Sequence, residues 1–276
     1  MELRDKVVVV TGAASGIGEA LAHDLAARGA RLVLCDVDGA RLEAVRAALG
    51  LPPDRAIVQL VDVADESALN ALAERVAAEM GGADVVINNA GVSLSSSIEG
   101  MAMSDAHWLM NINFWGVVHG CRAFLPQLRA KAQARLVNVS SIFAMVSMPT
   151  QGLYNASKAA VRGFSDALRL ELSDSPVGVL CVHPGGIRTR IAEQARIGDI
   201  ALAEMSAEEM RTRFATEVAR TSAAEAARQI VRAIEGDRTR LLIGRDAQLL
   251  DALYRLSPRH ASRWLRAMVR RRRARA

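Results

Sequence analysis

The stretch from Val7 to Gly18 constrains this chain more than any other. Four valines, Val7–Val10, run directly into Thr11-Gly12-Ala13-Ala14-Ser15-Gly16-Ile17-Gly18. A helical pattern follows from about Ile17 to Arg28 and is ended by Gly29. A glycine-rich turn between a strand and a helix N-terminus places bare backbone N–H groups where a pyrophosphate can sit. Glycine alone lets a phosphate approach the main chain that closely. Gly12, Ser15, Gly16, Ile17 and Gly18 are therefore candidate dinucleotide-binding residues.

The same strand–helix rhythm continues along the chain. Arg31–Val37 reads as a second strand, ending near Asp36. A carboxylate there accepts hydrogen bonds from both adenosine ribose hydroxyls and repels a 2′-phosphate, which favours NAD over NADP. Arg41, close by in sequence, is the residue that could reverse that preference. Ala56–Val63 reads as a third strand, and a helix runs from about Glu66 to Met80. Asp62, with Val63, stands where an adenine amino group could be met, or else caps the helix, a task for which Asp65 is better placed. Ala83–Ile87 leads into Asn88-Asn89-Ala90-Gly91, small polar residues at the strand edge where open α/β sheets bind ligands. A long helical pattern from about Ser104 to Ala130 contains Asn111 and Asn113, and an asparagine inside a buried helix must find a specific partner.

Ser141 ends the strand Leu136–Ser141, and thirteen residues later stands Tyr154-Asn155-Ala156-Ser157-Lys158. Residues four apart share a helix face, so Tyr154 and Lys158 project together. A lysine ammonium beside a phenol favours the phenolate and lowers a pKa that is otherwise about 10. That moves the tyrosine toward useful general acid/base chemistry, with Ser141 able to bond the oxygen whose proton moves. The last long strand, Val177–Val182, stops at His183-Pro184-Gly185-Gly186-Ile187-Arg188-Thr189, where exposed amides could grip a carboxamide. His183 reads as a hydrogen-bonded structural residue. From about Arg190 to Val218 the charged, alanine-rich pattern reads as a mobile lid over a substrate pocket. Ser222 and Glu225 form a capping box for a helix to about Glu235, and Arg240–Ile243 reads as a short final strand.

Alternation of strand and helix throughout implies one α/β domain, a doubly wound parallel sheet covered on both faces, over residues 1–250. A basic tail follows over residues 251–276. Nine of the 35 Lys+Arg residues fall from Arg255 onward with no acid among them, leaving 26 against 30 Asp+Glu in the body. The mildly acidic body argues against nucleic acid as a partner. Within the tail, Ala261, Trp264, Leu265, Met268 and Val269 fall at helical spacing, opposite Arg259, Arg263, Arg266 and Arg270. It could lie on an anionic membrane surface, pack on a neighbouring subunit, or serve as a solubilising end. No apolar run is long enough to span a membrane. The first residues lack a signal-peptide core, and Cys35, Cys121 and Cys181 read as buried thiols rather than staples or metal ligands, so a cytoplasmic protein is expected.

Together these residues resemble the short-chain dehydrogenases/reductases over about residues 5–245. The pieces that match are Thr11-Gly12 with Gly16 and Gly18, Asp36, Asp62-Val63, Asn88-Asn89-Ala90-Gly91, Asn113, Ser141, Tyr154, Lys158, and Pro184-Gly185 with Ile187 and Thr189. The resemblance implies a Rossmann fold of about seven strands and an enzyme that interconverts a secondary alcohol and a ketone. It implies Tyr154 as acid/base, Lys158 as holder of the nicotinamide ribose, Ser141 as orienter of the substrate oxygen, and Asn113 as holder of a water in a proton relay. A homodimer or homotetramer is implied as well. Where many members carry a glycine near Phe143, this chain has Ile142-Phe143-Ala144-Met145, which with Leu94 and Met148 suggests an apolar pocket or ordinary core packing. An NADPH-dependent carbonyl reductase and a non-catalytic NAD(H)-responsive scaffold are the rival readings.

Overall fold

The computed structural model describes residues 1–200, 206–213, 216 and 218–259. In chain order the strands are β1 (Val7–Thr11), β2 (Arg31–Asp36), β3 (Ala56–Leu60), β4 (Val85–Asn88), β5 (Leu94–Ser95), β6 (Ala134–Val139), β7 (Val177–Pro184), β8 (Ile187–Arg188), β9 (Arg196–Ile197), β10 (Thr221–Ser222) and β11 (Arg240–Ile243). The helices are α1 (Gly16–Ala27), α2 (Gly39–Leu49), α3 (Glu66–Met80), α4 (Met103–Met110), α5 (Gly116–Arg129), α6 (Gly152–Glu171), α7 (Ala207–Arg213), α8 (Ala223–Glu235) and α9 (Arg245–Leu256). Seven strands form one parallel sheet in the order β3-β2-β1-β4-β6-β7-β11, flanked by helices: the doubly wound Rossmann-like arrangement expected.

The valine run of β1 follows from its place in the middle of that sheet. Val8 and Val10 face one core with Leu21 and Leu25 of α1 and Ile230 and Ile234 of α8. Val7 and Val9 face the other, with Leu69, Leu72 and Val76 of α3 and Phe124 and Leu128 of α5. Successive side chains of a strand point to opposite faces, so a strand covered on both sides needs apolar residues at every position. The reversal of strand order beside β1 opens a cleft at the carboxyl ends of β1 and β4.

Several elements depart from the sequence expectation. β3 stops at Leu60, leaving Asp62 and Val63 in the following turn. Asp65 caps α3, accepting from the Ser67 and Ala68 amides at 2.9 and 3.4 Å. The helix expected from 104 to 130 is interrupted at Asn111–Trp115 by a π turn, which puts α4 and α5 in different registers. The boundary expected at residue 250 falls inside α9, whose Asp251 is buried and bonded to Arg240. The tail pattern from Ala261 onward lies outside the described residues. Cys35, Cys121 and Cys181 are free and buried. Among the described residues, no helix is long and apolar enough to cross a membrane.

Candidate active site

A cleft of about 1210 Å³ runs along the carboxyl edge of the sheet. The β1–α1 turn forms one end. Gly12 and Gly16 both have φ near +60°, a region costly for residues with a Cβ. A Cβ on Gly12 would lie 2.8 Å from the Ala90 Cα, and one on Gly16 would press on the Thr189 side chain. Ser15 stands at the α1 N-cap with no side-chain capping bond, so its hydroxyl is available to a ligand. Gly12, Ser15, Gly16 and Ile17 line the cleft. Gly18 does not: it lies beneath, where a Cβ would collide with the Gly12 carbonyl and the Asn89 side chain. Its glycine serves helix–strand packing rather than direct contact with a ligand.

Asp36 reaches the cleft from the end of β2. Its carboxylate accepts the Ala14 amide at 2.9 Å and the Asp38 amide at 3.1 Å, which aims it across the first turn of α1. Arg41 also lines the cleft, but its guanidinium lies 3.2 Å from the Asp38 carboxylate. Asp62 and Val63 line the far wall, with the exposed Asp62 side chain accepting the Ala64 amide at 2.9 Å. Asn89, Ala90 and Gly91 follow β4. The Asn89 side chain donates to the Thr11 and Gly12 carbonyls at 2.9 and 3.2 Å, and the Thr11 hydroxyl receives the Asn89 and Ala90 amides at 3.0 Å. The asparagine thus braces the glycine turn from behind.

At the other end of the cleft, β6 delivers Ser141 and α6 delivers Tyr154 and Lys158. The Lys158 ammonium nitrogen sits 5.9 Å from the centre of the Tyr154 ring and donates to the Val139 carbonyl at 3.1 Å. Phe143 meets Tyr154 edge to face, with ring centres 6.2 Å apart. The Ser141 hydroxyl accepts the Phe143 amide at 3.1 Å, which fixes its orientation. Burial pushes Lys158 down to about 8, against the opposing pull of the Cys181 thiol. Burial also raises the Tyr154 phenol above its ordinary value, while its hydrogen bond with Ser141 draws it back in part. The lowering expected from Lys158 is not seen: burial is the largest influence on the phenol, and the ammonium sits over the ring face rather than at the hydroxyl.

Asn113, in the π turn, does not line the cleft. Its amide bonds to Val92 and Ser157: Nδ2 donates to the Val92 carbonyl at 2.9 Å and to the Ser157 hydroxyl at 3.2 Å, and Oδ1 accepts the Val92 amide at 2.8 Å. Asn113 Oδ1 and Lys158 Nζ nevertheless flank one spot over Gly91, lying 3.2 and 3.3 Å from where its Cβ would be. His183 is buried behind Ser141, its Nδ1 3.3 Å from the Ser141 carbonyl, and burial pushes it down to about 4. Pro184, Gly185, Ile187 and Thr189 line the cleft beyond β7.

Sequence reasoning missed Asp246, whose carboxylate accepts the Gly186 amide at 2.7 Å. Its only signal was position, just beyond the last strand. The lid segment lines the cleft through Ile191, Ala192, Gln194 and Ile197, and β9 pins it to β5. Two strained glycines, a bare helix N-terminus and a carboxylate at the second strand end fit a nicotinamide dinucleotide in both shape and chemistry.

Comparison with known proteins agrees. A family model described as short chain dehydrogenase matches residues 6–199. The protein SadH of Mycobacterium tuberculosis is 40% identical over 254 residues, 91% of this chain and 90% of its own. A short chain dehydrogenase/reductase from Burkholderia phymatum, solved in complex with NAD, superposes with a TM-score of 0.80 at 30% identity, covering 88% of this chain and 90% of that one. Another from Burkholderia cenocepacia, solved in complex with NADP, gives 0.79 at 25% identity over 96% and 99%. This chain belongs to the short-chain dehydrogenase/reductase family, a class of oxidoreductases with an NAD(P)-binding Rossmann fold.

Proposed function

We propose that the protein is an NAD-dependent oxidoreductase that interconverts a secondary alcohol and a ketone within an apolar molecule. The observation that carries this reading is the convergence of Tyr154, Ser141 and Lys158 at the floor of a cleft whose nearby wall is apolar. When bound, the dinucleotide supplies the hydride chemistry. The chain's own residues bind, orient and move a proton. Gly12, Ser15, Gly16 and Ile17 receive the pyrophosphate, and Asp36 the adenosine ribose. Asp62 and Val63 border the adenine, while Asn89, Ala90 and Gly91 shape the floor. Pro184, Gly185, Ile187 and Thr189 hold the carboxamide end. Ser141 donates to the substrate oxygen, and Tyr154 gives that oxygen its proton or takes it away. Lys158 lies against the nicotinamide ribose, and Asn113 holds the loop at Val92 and Gly91 in register behind it.

The preference for NAD rests on Asp36, whose carboxylate faces the place where a 2′-phosphate would sit. A specific observation favours the NADPH reading: Arg41 also borders the cleft, and one relative was solved with NADP. Fluorescence titration with NADH and with NADPH decides between them. Tighter NADH binding supports the proposal, tighter NADPH binding transfers it to a carbonyl reductase, and binding of neither removes the enzyme reading.

A homodimer or homotetramer is part of the same reading; Trp115, 47% exposed where α4 meets α5, supports it and sedimentation measures it. Contact of the basic tail with anionic membranes is tested by deleting residues 258–276 and measuring liposome binding.

A further inference from the structure

Beside the apolar wall stands a polar pair that the chemistry above does not use. Gln151 is the N-cap residue of α6, and its side-chain nitrogen donates to the Ser95 hydroxyl at 2.5 Å. Both residues line the cleft. Ser95 is only 3% exposed, and the Gln151 amide is the partner of its hydroxyl. Gln151 is half-buried, and its amide has one further donor and an acceptor beyond the bond to Ser95. A hydroxyl and an amide bonded to each other retain donor and acceptor capacity that a third oxygen entering the cleft can share.

The pair is held in place. The Ser96 amide donates to the Thr150 carbonyl at 2.8 Å, and the Gln151 amide to the Met148 carbonyl at 3.2 Å. β5 pairs with β9, where Ser95 stands opposite Ile197. Around it the wall is apolar, with Ile142, Phe143, Val146, Met148, Ile191 and Leu250. Gln151 lies three residues before Tyr154, so the two side chains start roughly 5–6 Å apart on neighbouring positions of one helix face.

We propose that Gln151 and Ser95 form an uncharged polar subsite for a second oxygen of the substrate. The substrate class is then an apolar secondary alcohol or ketone bearing a hydroxyl or carbonyl β or γ to the carbon that exchanges hydride. Serine offers a donor and glutamine both a donor and an acceptor, which suits a neutral oxygen better than a carboxylate. A carboxylate would find its partner instead in Arg211 of α7, which lines the same cleft with a buried Nε lacking a partner among the described residues.

This inference rests on the proposed function, and the test separates the two. Wild-type enzyme, loaded with whichever dinucleotide binds, is given 2-octanone, 4-hydroxy-2-octanone and 3-oxooctanoate, measuring both equilibrium binding and initial rates. The hydroxy ketone is expected to bind and react about tenfold better than 2-octanone, the worth of one good hydrogen bond. Gln151→Leu should bring that ratio near one, mainly through KM of the hydroxy ketone. Ser95→Ala asks the same question if the leucine variant does not fold. A purely structural latch would move both ketones alike and leave the ratio intact. Equal use of both ketones by wild type, or a ratio unchanged in the variants, overturns the subsite while keeping the oxidoreductase. Preference for 3-oxooctanoate also overturns it, in favour of an anionic substrate. No binding or turnover of any of the three, in an enzyme that also binds no dinucleotide, removes both readings.

Discussion

Asp246 and Gly186, sixty residues apart in sequence, are joined by a 2.7 Å hydrogen bond from the glycine amide to the aspartate carboxylate. Asp246 lies in the first turn of α9, and Gly186 sits in the loop after β7 that lines the cleft. Helix α9 therefore braces one wall of the cleft, which Arg245, Asp246, Leu249 and Leu250 also line.

Removing that carboxylate should loosen the loop. A charge-assisted bond is worth about 1.5–3 kcal/mol, so Asp246→Ala is expected to weaken NADH binding by roughly tenfold or more. Fluorescence titration measures this; unchanged affinity would show that the loop holds its shape alone.

Tyr154→Phe keeps the ring that packs on Phe143 and deletes the proton donor. Positioned general acid/base groups contribute about 10²–10⁴-fold, and turnover should fall by that order while NADH still binds. Retained turnover would mean another group moves the proton.

Asp36→Ala removes the carboxylate proposed to meet the ribose. NADH affinity should fall and NADPH affinity rise, narrowing the ratio between the two by about tenfold or more. A ratio that does not move would assign the discrimination elsewhere, to Arg41 first.

His183 gives the fold a pH dependence. It is pushed down to about 4 from an ordinary 6.5, with burial the main cause. Between those values the unfolded chain binds a proton that the native state refuses, so stability rises with pH. It is complete above about 6.5 and is lost as pH falls toward 4, by a few kcal/mol. Melting curves from pH 7 to 4 should show the loss, and His183→Gln should flatten it.

Much of this was legible in the sequence because each signal was local. The Val7–Gly18 turn, the Tyr154–Lys158 spacing and the Ser222 cap all depend on residues a turn or two apart, and the structure places each where its pattern implies. What escaped depends on distance. The π turn at Asn111–Trp115 is set by the bonds of Asn113 to Val92, across the fold. Asp246 acquires its role only when β11 lies beside β7. The motif around Gly18 serves packing as well as ligand contact, and spacing alone does not separate the two uses. The rise of the Tyr154 phenol reflects burial, which a helical wheel does not register.

The position of β1 also has a consequence for how the chain assembles. It pairs with β2, which follows closely, and with β4, whose partners lie some distance further along, Val8 opposite Val85 and Val10 opposite Ile87. Until β4 docks, one edge of a valine-rich strand displays unpaired amides and carbonyls between apolar side chains. Such an edge templates contact with other chains. The strand that anchors the cleft in the finished molecule is thus an open pairing edge while unfinished, and docking of β4 is what closes it.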